Sequence, residues 1–279
     1  MSEVEAMLAR HRILSIVALA TLILLAWGWL LLGAGMDMAP TASIMPSGLA
    51  PQDSMPDPMP NPMMAMTMSA DVPWSAGRFA LTLVMWWVMM VAMMLPSAAP
   101  MILLYARVVA HRDPARRPAT ESFLAGYLLA WGLFSLLVTM AQWRLSAAAM
   151  FAPMAMASSS RWLSAGLLVA AGLYQLSPWK DACLRQCRNP ALFLSRHYRT
   201  GRMGALRMGM IHGAWCVGCC WMLMALLFVG GIMNLAWIAL LTVLVALEKL
   251  LPWGRLVALT AGLACMLLGV LLVARGGIG

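Results

Sequence analysis

Charge is what this sequence has least of. Asp, Glu, Lys and Arg make up 10% of its 279 residues, against about 25% in soluble domains. That scarcity, with 63% hydrophobic residues and a mean hydropathy of +0.83, excludes a water-soluble globular chain. Short alternating segments of the kind that build membrane β-barrels are also missing, and the apolar runs are too long for them. A spanning helix needs about 20 apolar residues, so several fit with little left for soluble domains. Acidic residues are scarcer still, 10 against 19 Lys and Arg, for a net charge of +9. In a soluble chain that balance would suggest nucleic acid. Here it reads as the preference of Lys and Arg for cytoplasmic loops, and no nucleic-acid partner is expected.

The predicted fold is all-α, a polytopic transmembrane bundle of about seven spans (six to seven). Arg10, His11 and Arg12 precede an apolar run from Ile13 to Leu32. That run exceeds the 7–15 residues of a signal-peptide core, so residues 1–35 read as a retained first span, with a signal peptide as the alternative. Residues 36–74 form a Met- and Pro-rich loop with four aspartates and no Lys or Arg. Proline at that density opposes regular structure. Residues 75–279 form a membrane core of about six helices: Phe79–Ala106, Phe123–Trp143, Trp162–Leu176, Met208–Val229, Ile232–Ala246 and Trp253–Val273. The weakly apolar 144–160 stretch spans, lies on or re-enters the membrane. With the N-terminus inside, 15 Lys and Arg fall on the cytoplasmic side and 4 opposite. This positive-inside bias places the chain in a bacterial inner membrane with residues 36–74 external.

What the sequence has in excess is sulfur: 28 methionines and six cysteines. In the external loop, Met63, Met64, Met66 and Met68 are spaced to share one soft ion, and thioethers select Cu(I). In the second span, Met85, Met89 and Met93 form one i, i+4 stripe and Met90 and Met94 another, beside Pro96 and Ser97. Pro96 removes a backbone bond, and the freed carbonyl must find a partner inside the bundle. Buried methionine otherwise serves as packing.

The densest signal is His212-Gly-Ala-Trp-Cys216-Val-Gly-Cys219-Cys220-Trp221. Spacings of three and four place His212, Cys216, Cys219 and Cys220 on one helical stripe. A histidine inside a span is costly and functional by default. Cys183 and Cys187, also i, i+4, stand among Lys180, Arg185 and Arg188, whose charges would favour thiolates. These six residues are the predicted metal ligands, with Met89, Met90, Met93, Met94, Glu248 and the loop methionines Met63, Met64, Met66 and Met68 as secondary ones. Cys265, alone in the last span, reads as packing. No catalytic constellation accompanies them, and no enzyme is favoured.

Met93-Met-Leu-Pro-Ser97, the segment from Tyr174-Gln175 to Cys187-Arg-Asn-Pro190, the His212–Trp221 motif and Glu248-Lys249 resemble a bacterial family of predicted metal-binding integral membrane proteins. The resemblance covers roughly residues 75–274 and implies metal binding by the cysteines and the histidine. It supplies no reaction. The expected function is handling or transfer of a metal ion, copper as Cu(I) first and zinc or another soft ion as alternatives. Expected partners are the lipid bilayer and a metal-delivering or metal-receiving protein. Two alternatives stand: a membrane thiol oxidoreductase using Cys216 and Cys219, without any visible quinone or flavin motif, and a non-catalytic partner subunit. For the topology, a reporter fused within residues 36–73 is expected to register as external; a cytoplasmic signal there overturns the orientation.

Overall fold

The structure is a computed structural model that describes residues 3–33, 74–112, 119–147, 151–152, 157–158 and 161–275. The Met-rich loop, with Met63, Met64, Met66 and Met68, lies outside the described residues. The described chain is helical apart from one two-residue ladder. Its elements are α1 (Glu3–Leu31), α2 (Ala76–Arg112), α3 (Thr120–Ala147), β1 (Phe151–Ala152), β2 (Ala157–Ser158), α4 (Arg161–Leu176), α5 (Pro178–Arg188), α6 (Pro190–His197), α7 (Gly201–Ala225), α8 (Leu227–Gly230), α9 (Leu235–Leu250) and α10 (Gly254–Arg275). β1 pairs antiparallel with β2, Phe151 opposite Ser158. The 144–160 stretch thus begins as the end of α3 and includes a small hairpin.

Among the described residues, five stretches are long and apolar enough to cross a membrane: Ile13–Leu31, Ala76–Val109, Thr120–Arg144, Gly201–Gly230 and Gly254–Ala274. The expected count of six to seven is not reached on this measure. α4 and α9 have 16 residues each, about 24 Å at 1.5 Å per residue, against a hydrocarbon core of about 30 Å. Proline chemistry shortens both. α4 gives way at Ser177-Pro178, where Ser177 caps α5 by accepting from the Lys180 amide. α9 starts at Asn234, whose side chain accepts from the Trp237 amide, and stops before Pro252.

In lipid, helices associate through close packing and hydrogen bonds rather than through the hydrophobic effect. α7 and α2 are the centre: 56% and 50% of their most apolar windows are buried, against 17% for α1 and α10. α7 lies against α3 through small residues. Ala205, Gly209 and Gly213 recur at intervals of four on α7, facing Gly126 and Ala130 of α3. A Cβ on Gly209 would meet the Phe123 carbonyl oxygen at 1.9 Å, and one on Gly126 the Leu206 carbonyl at 2.0 Å. Only glycine permits these backbones to approach so closely.

α2 carries Pro96 and Pro100 within its helix. The carbonyl freed by Pro96 belongs to Ala92, and the Trp27 indole of α1 donates to it at 3.2 Å. Two residues further, the Met94 carbonyl accepts from Ser97 Oγ at 2.9 Å and from the Tyr127 hydroxyl at 3.3 Å. The sequence expectation that Pro96 would be compensated within the bundle therefore has a named partner. Met85, Met89, Met90, Met93 and Met94 are all buried.

Gly209→Ala is expected to destabilise the protein by about 1–3 kcal/mol, because the new methyl must displace α3. Gly166→Ala on α4, where a Cβ meets nothing within 4 Å, is expected to stay within about 0.5 kcal/mol. Thermal unfolding of both variants in detergent checks the difference.

Candidate metal centre

Helix α7 supplies the stripe that the sequence predicts. His212, Cys216, Cys219 and Cys220 are each 1–2% exposed. Gly213 between them sits where a Cβ would meet the Ala130 Cβ at 2.5 Å, so the α3 contact holds the stripe inward. Gly218 leaves room for Cys183 of α5, whose Sγ would lie 3.0 Å from a Cβ at that position. The Tyr174 hydroxyl donates to the Gly218 carbonyl, and its ring meets Trp221 edge-on at 5.5 Å. Each fixed residue of the motif thus has a separate packing task as well as a chemical one.

The sulfurs gather around Cys216. Its Sγ lies 3.0 Å from the Lys249 ammonium and 3.2 Å from the Tyr127 hydroxyl. Cys219 and Cys220 each donate to the Cys216 carbonyl at 3.0 Å. Cys220 Sγ also lies 3.6 Å from Met94 Sδ. Cys187 of α5 is within hydrogen-bonding reach of both Cys216 and Cys219. All six cysteines of the chain are free thiols. The four secondary methionines of α2 therefore differ in role: Met94 touches a thiol, the one of the four with a hydrogen-bond-range contact to a cysteine among the described residues, whereas Met89, Met90 and Met93 are buried in the same core cluster. No three His, Cys, Asp or Glu groups among the described residues stand ready as a metal site. The thiols point at a backbone carbonyl and at one another, so gathering them on one ion takes side-chain rotation.

His212 belongs to the stripe but not to the thiol group. Its ring stacks on Tyr127 at 5.9 Å and lies against Phe193 at 5.2 Å and Phe123 at 6.2 Å. Its Nδ1 is buried with no hydrogen-bond partner among the described residues. Glu248 faces away from the sulfurs. Lys180 approaches it at 2.5 Å and the Gln175 amide donates to it at 2.7 Å, and Lys180 and Gln175 bond to each other. All three are essentially buried, so the carboxylate is spoken for.

The cations near Cys183 and Cys187 do not activate them, contrary to the sequence expectation. Lys180 turns to Glu248. Arg185 donates to the Asp181 carbonyl at 3.4 Å. Arg188 reaches the carbonyls of Leu251, at 2.8 Å, and Pro252. Burial then pushes the Cys183 thiol up, with Cys219 adding to the effect. The bonds that Cys187 makes to Cys216 and Cys219 hold its thiol well above the ordinary range. Arg188 serves instead to fasten α5 across the end of the bundle, helped by Arg255, which pairs with Asp181 at 2.8 Å and caps the carbonyls of Gln175 and Leu176.

Sequence reasoning passed over Lys249 and Tyr127, the two groups nearest Cys216. A signal for Lys249 was present, since an ionisable side chain at the edge of an apolar run is functional by default. For Tyr127 there was none, because nothing in a single sequence links α3 to a given turn of α7. Lys249 is 7% exposed. Its other contacts are Ser97 Oγ at 3.3 Å and Met94 Sδ at 3.8 Å. Among the described residues no carboxylate pairs with it.

No curated protein and no solved structure matches the chain. A protein-family model does, over residues 83–272, under the description PpoB2, copper chaperone. The matched region contains α2 from its third turn onward, all six cysteines and His212, and it leaves out α1 and the Met-rich loop. It supports the metal-related expectation, and its description names copper. With more than half of its length matched, the chain belongs to the PpoB2 copper chaperone family.

Proposed function

We propose that this protein is an integral membrane copper chaperone that holds Cu(I) on sulfur. The single observation that carries this reading is the group of buried thiols of Cys216, Cys219 and Cys220, with half-buried Cys187 in reach of the first two and the Met94 thioether beside Cys220, in a chain whose family is described as copper chaperone. The donor chemistry fits. Thiolates and thioethers are the soft ligands that favour Cu(I) over harder ions. In this reading Cys216 is the central ligand, Cys187 and Cys219 turn toward the same ion, and Cys220 and Met94 complete a sulfur-lined surround. Cys183 stands next to them at Gly218 as an entry or exit thiol on α5. Copper is the cargo, and its own chemistry is limited here to being bound and released.

The membrane supplies the rest of the arrangement. The five long apolar helices anchor the chain, and α4 and α9 cross as shorter segments to give seven, with the N-terminus cytoplasmic. Cys183, Cys187 and the first turns of α7 then lie toward the cytoplasmic face. Met63, Met64, Met66 and Met68 would meet copper on the outer side, and a delivering or receiving protein would complete the transfer. The redox alternative at Cys216 and Cys219 loses ground, because both thiols are 1% exposed and a disulfide partner needs access to them.

Reduced protein purified in detergent is expected to bind Cu(I) stoichiometrically. Cys216→Ser combined with Cys219→Ser is expected to weaken binding at least about tenfold, or ~1.4 kcal/mol, in competition against a chelator of known affinity. Absence of binding in the wild type, or unchanged affinity in the double variant, contradicts the proposal.

A further inference from the structure

Lys249 is a full positive charge in an apolar interior, and burying an ammonium costs several kcal/mol unless an anion answers it. The neighbouring charges do not provide one, since Lys180 and Glu248 neutralise each other. Its nearest partner is a thiol: Cys216 Sγ at 3.0 Å, with Ser97 Oγ at 3.3 Å and Met94 Sδ at 3.8 Å completing the surround. The neighbouring residue Glu248 points to α4 and α5, while Lys249 points to α2 and α7. Consecutive positions at the end of α9 therefore reach two separate buried polar groups, one balanced within itself and one with a surplus positive charge.

We propose that Lys249 is a specificity-determining residue that selects monovalent soft ions at the thiol site. This rests on the reading of the Cys216 group as a Cu(I) site. When Cu(I) binds, Cys216 and one further thiol, Cys187 or Cys219, bond to it as thiolates, and the protons they lose pass to solvent. Two thiolates and one Cu(I) leave a single negative charge, which the Lys249 ammonium cancels. The loaded site is then neutral, the state that a low-dielectric interior tolerates best. A divalent ion such as Zn(II) on the same two thiolates forms a neutral group that leaves the ammonium without a counter-charge. The attraction that Cu(I) gains and a divalent ion lacks, between opposite charges about 5 Å apart at an effective dielectric near 20, favours the monovalent ion on the order of a hundredfold. Lys249 contributes no bond to the metal; it sets the charge that the metal must bring.

The test is the ratio of affinities for ions of different charge, measured in reduced, detergent-solubilised full-length protein by competition with chelators of known affinity. Cu(I) and Zn(II) form one pair, and Ag(I) and Cd(II) a second in which both ions are soft. Lys249→Leu and Lys249→Gln remove the charge without adding a sulfur ligand, and Lys249→Arg keeps it. Expected is a monovalent-to-divalent ratio that falls roughly ten- to a hundredfold in Lys249→Leu and Lys249→Gln for both ion pairs, and that Lys249→Arg largely preserves. The two neutral variants are independent substitutions, so the loss of one to misfolding leaves the other to decide. A ratio unchanged in a neutral variant that still binds Cu(I) overturns the role of Lys249 and leaves the copper site standing. A wild type that binds none of the four ions overturns the copper site and this inference together.

Discussion

The contact between α3 and α7 is the constraint on which the rest depends. Gly209 and Gly126 let two helix backbones meet where a single methyl would collide with a carbonyl oxygen. That contact turns one face of α7 inward and presses His212 between the rings of Tyr127 and Phe193. It also brings the Tyr127 hydroxyl to Cys216. Once α7 is fixed, α5 has one place to lie, with Cys183 over Gly218. In a medium without a hydrophobic drive between helices, such close fits and the hydrogen bonds they permit determine the architecture.

Most buried polar groups then find a partner, and the partners tie together helices far apart in sequence. Trp27 answers the carbonyl released by Pro96. Gln142 accepts from Trp86 at 2.7 Å. Lys180, Gln175 and Glu248 close on one another. Among the described residues Trp131 Nε1, Ser164 Oγ, Gln186 Oε1 and His212 Nδ1 are buried without a partner, and two departures sit on or beside the thiols. His212 leaves Nδ1 without a partner among the described residues, and Lys249 faces sulfur in place of a carboxylate. Unanswered polarity in a mostly satisfied interior is a mark of function, because it costs stability that packing alone would not spend.

Much of this was legible in the sequence, and the part that was not has a physical reason. The periodicity of long apolar runs gave the all-helical class and the approximate bounds of α2, α3, α7 and α10. The three- and four-residue spacings gave the buried stripe on α7. Local patterns cannot report which helices touch, so Tyr127 went unnoticed. Nor could they show that Glu248 turns to Lys180 while its neighbour turns to Cys216, because a step of one residue along a helix rotates the side chain by about 100°. The charges around Cys183 and Cys187 misled for a related reason. Closeness in sequence suggested thiolates, but each cation is used elsewhere, on a carboxylate or on the carbonyls that end helices. Composition marks an apolar segment without saying whether its 16 residues reach across a bilayer, so α4 and α9 stand outside the five long stretches.

What surrounds the copper ion decides whether sulfur holds it. X-ray absorption at the copper edge of the Cu(I)-loaded, reduced protein reads that directly. A first shell of sulfur alone, disrupted by Cys216→Ser and retained in His212→Gln, is the predicted result. A shell dominated by nitrogen or oxygen, or a sulfur shell indifferent to Cys216, would contradict it.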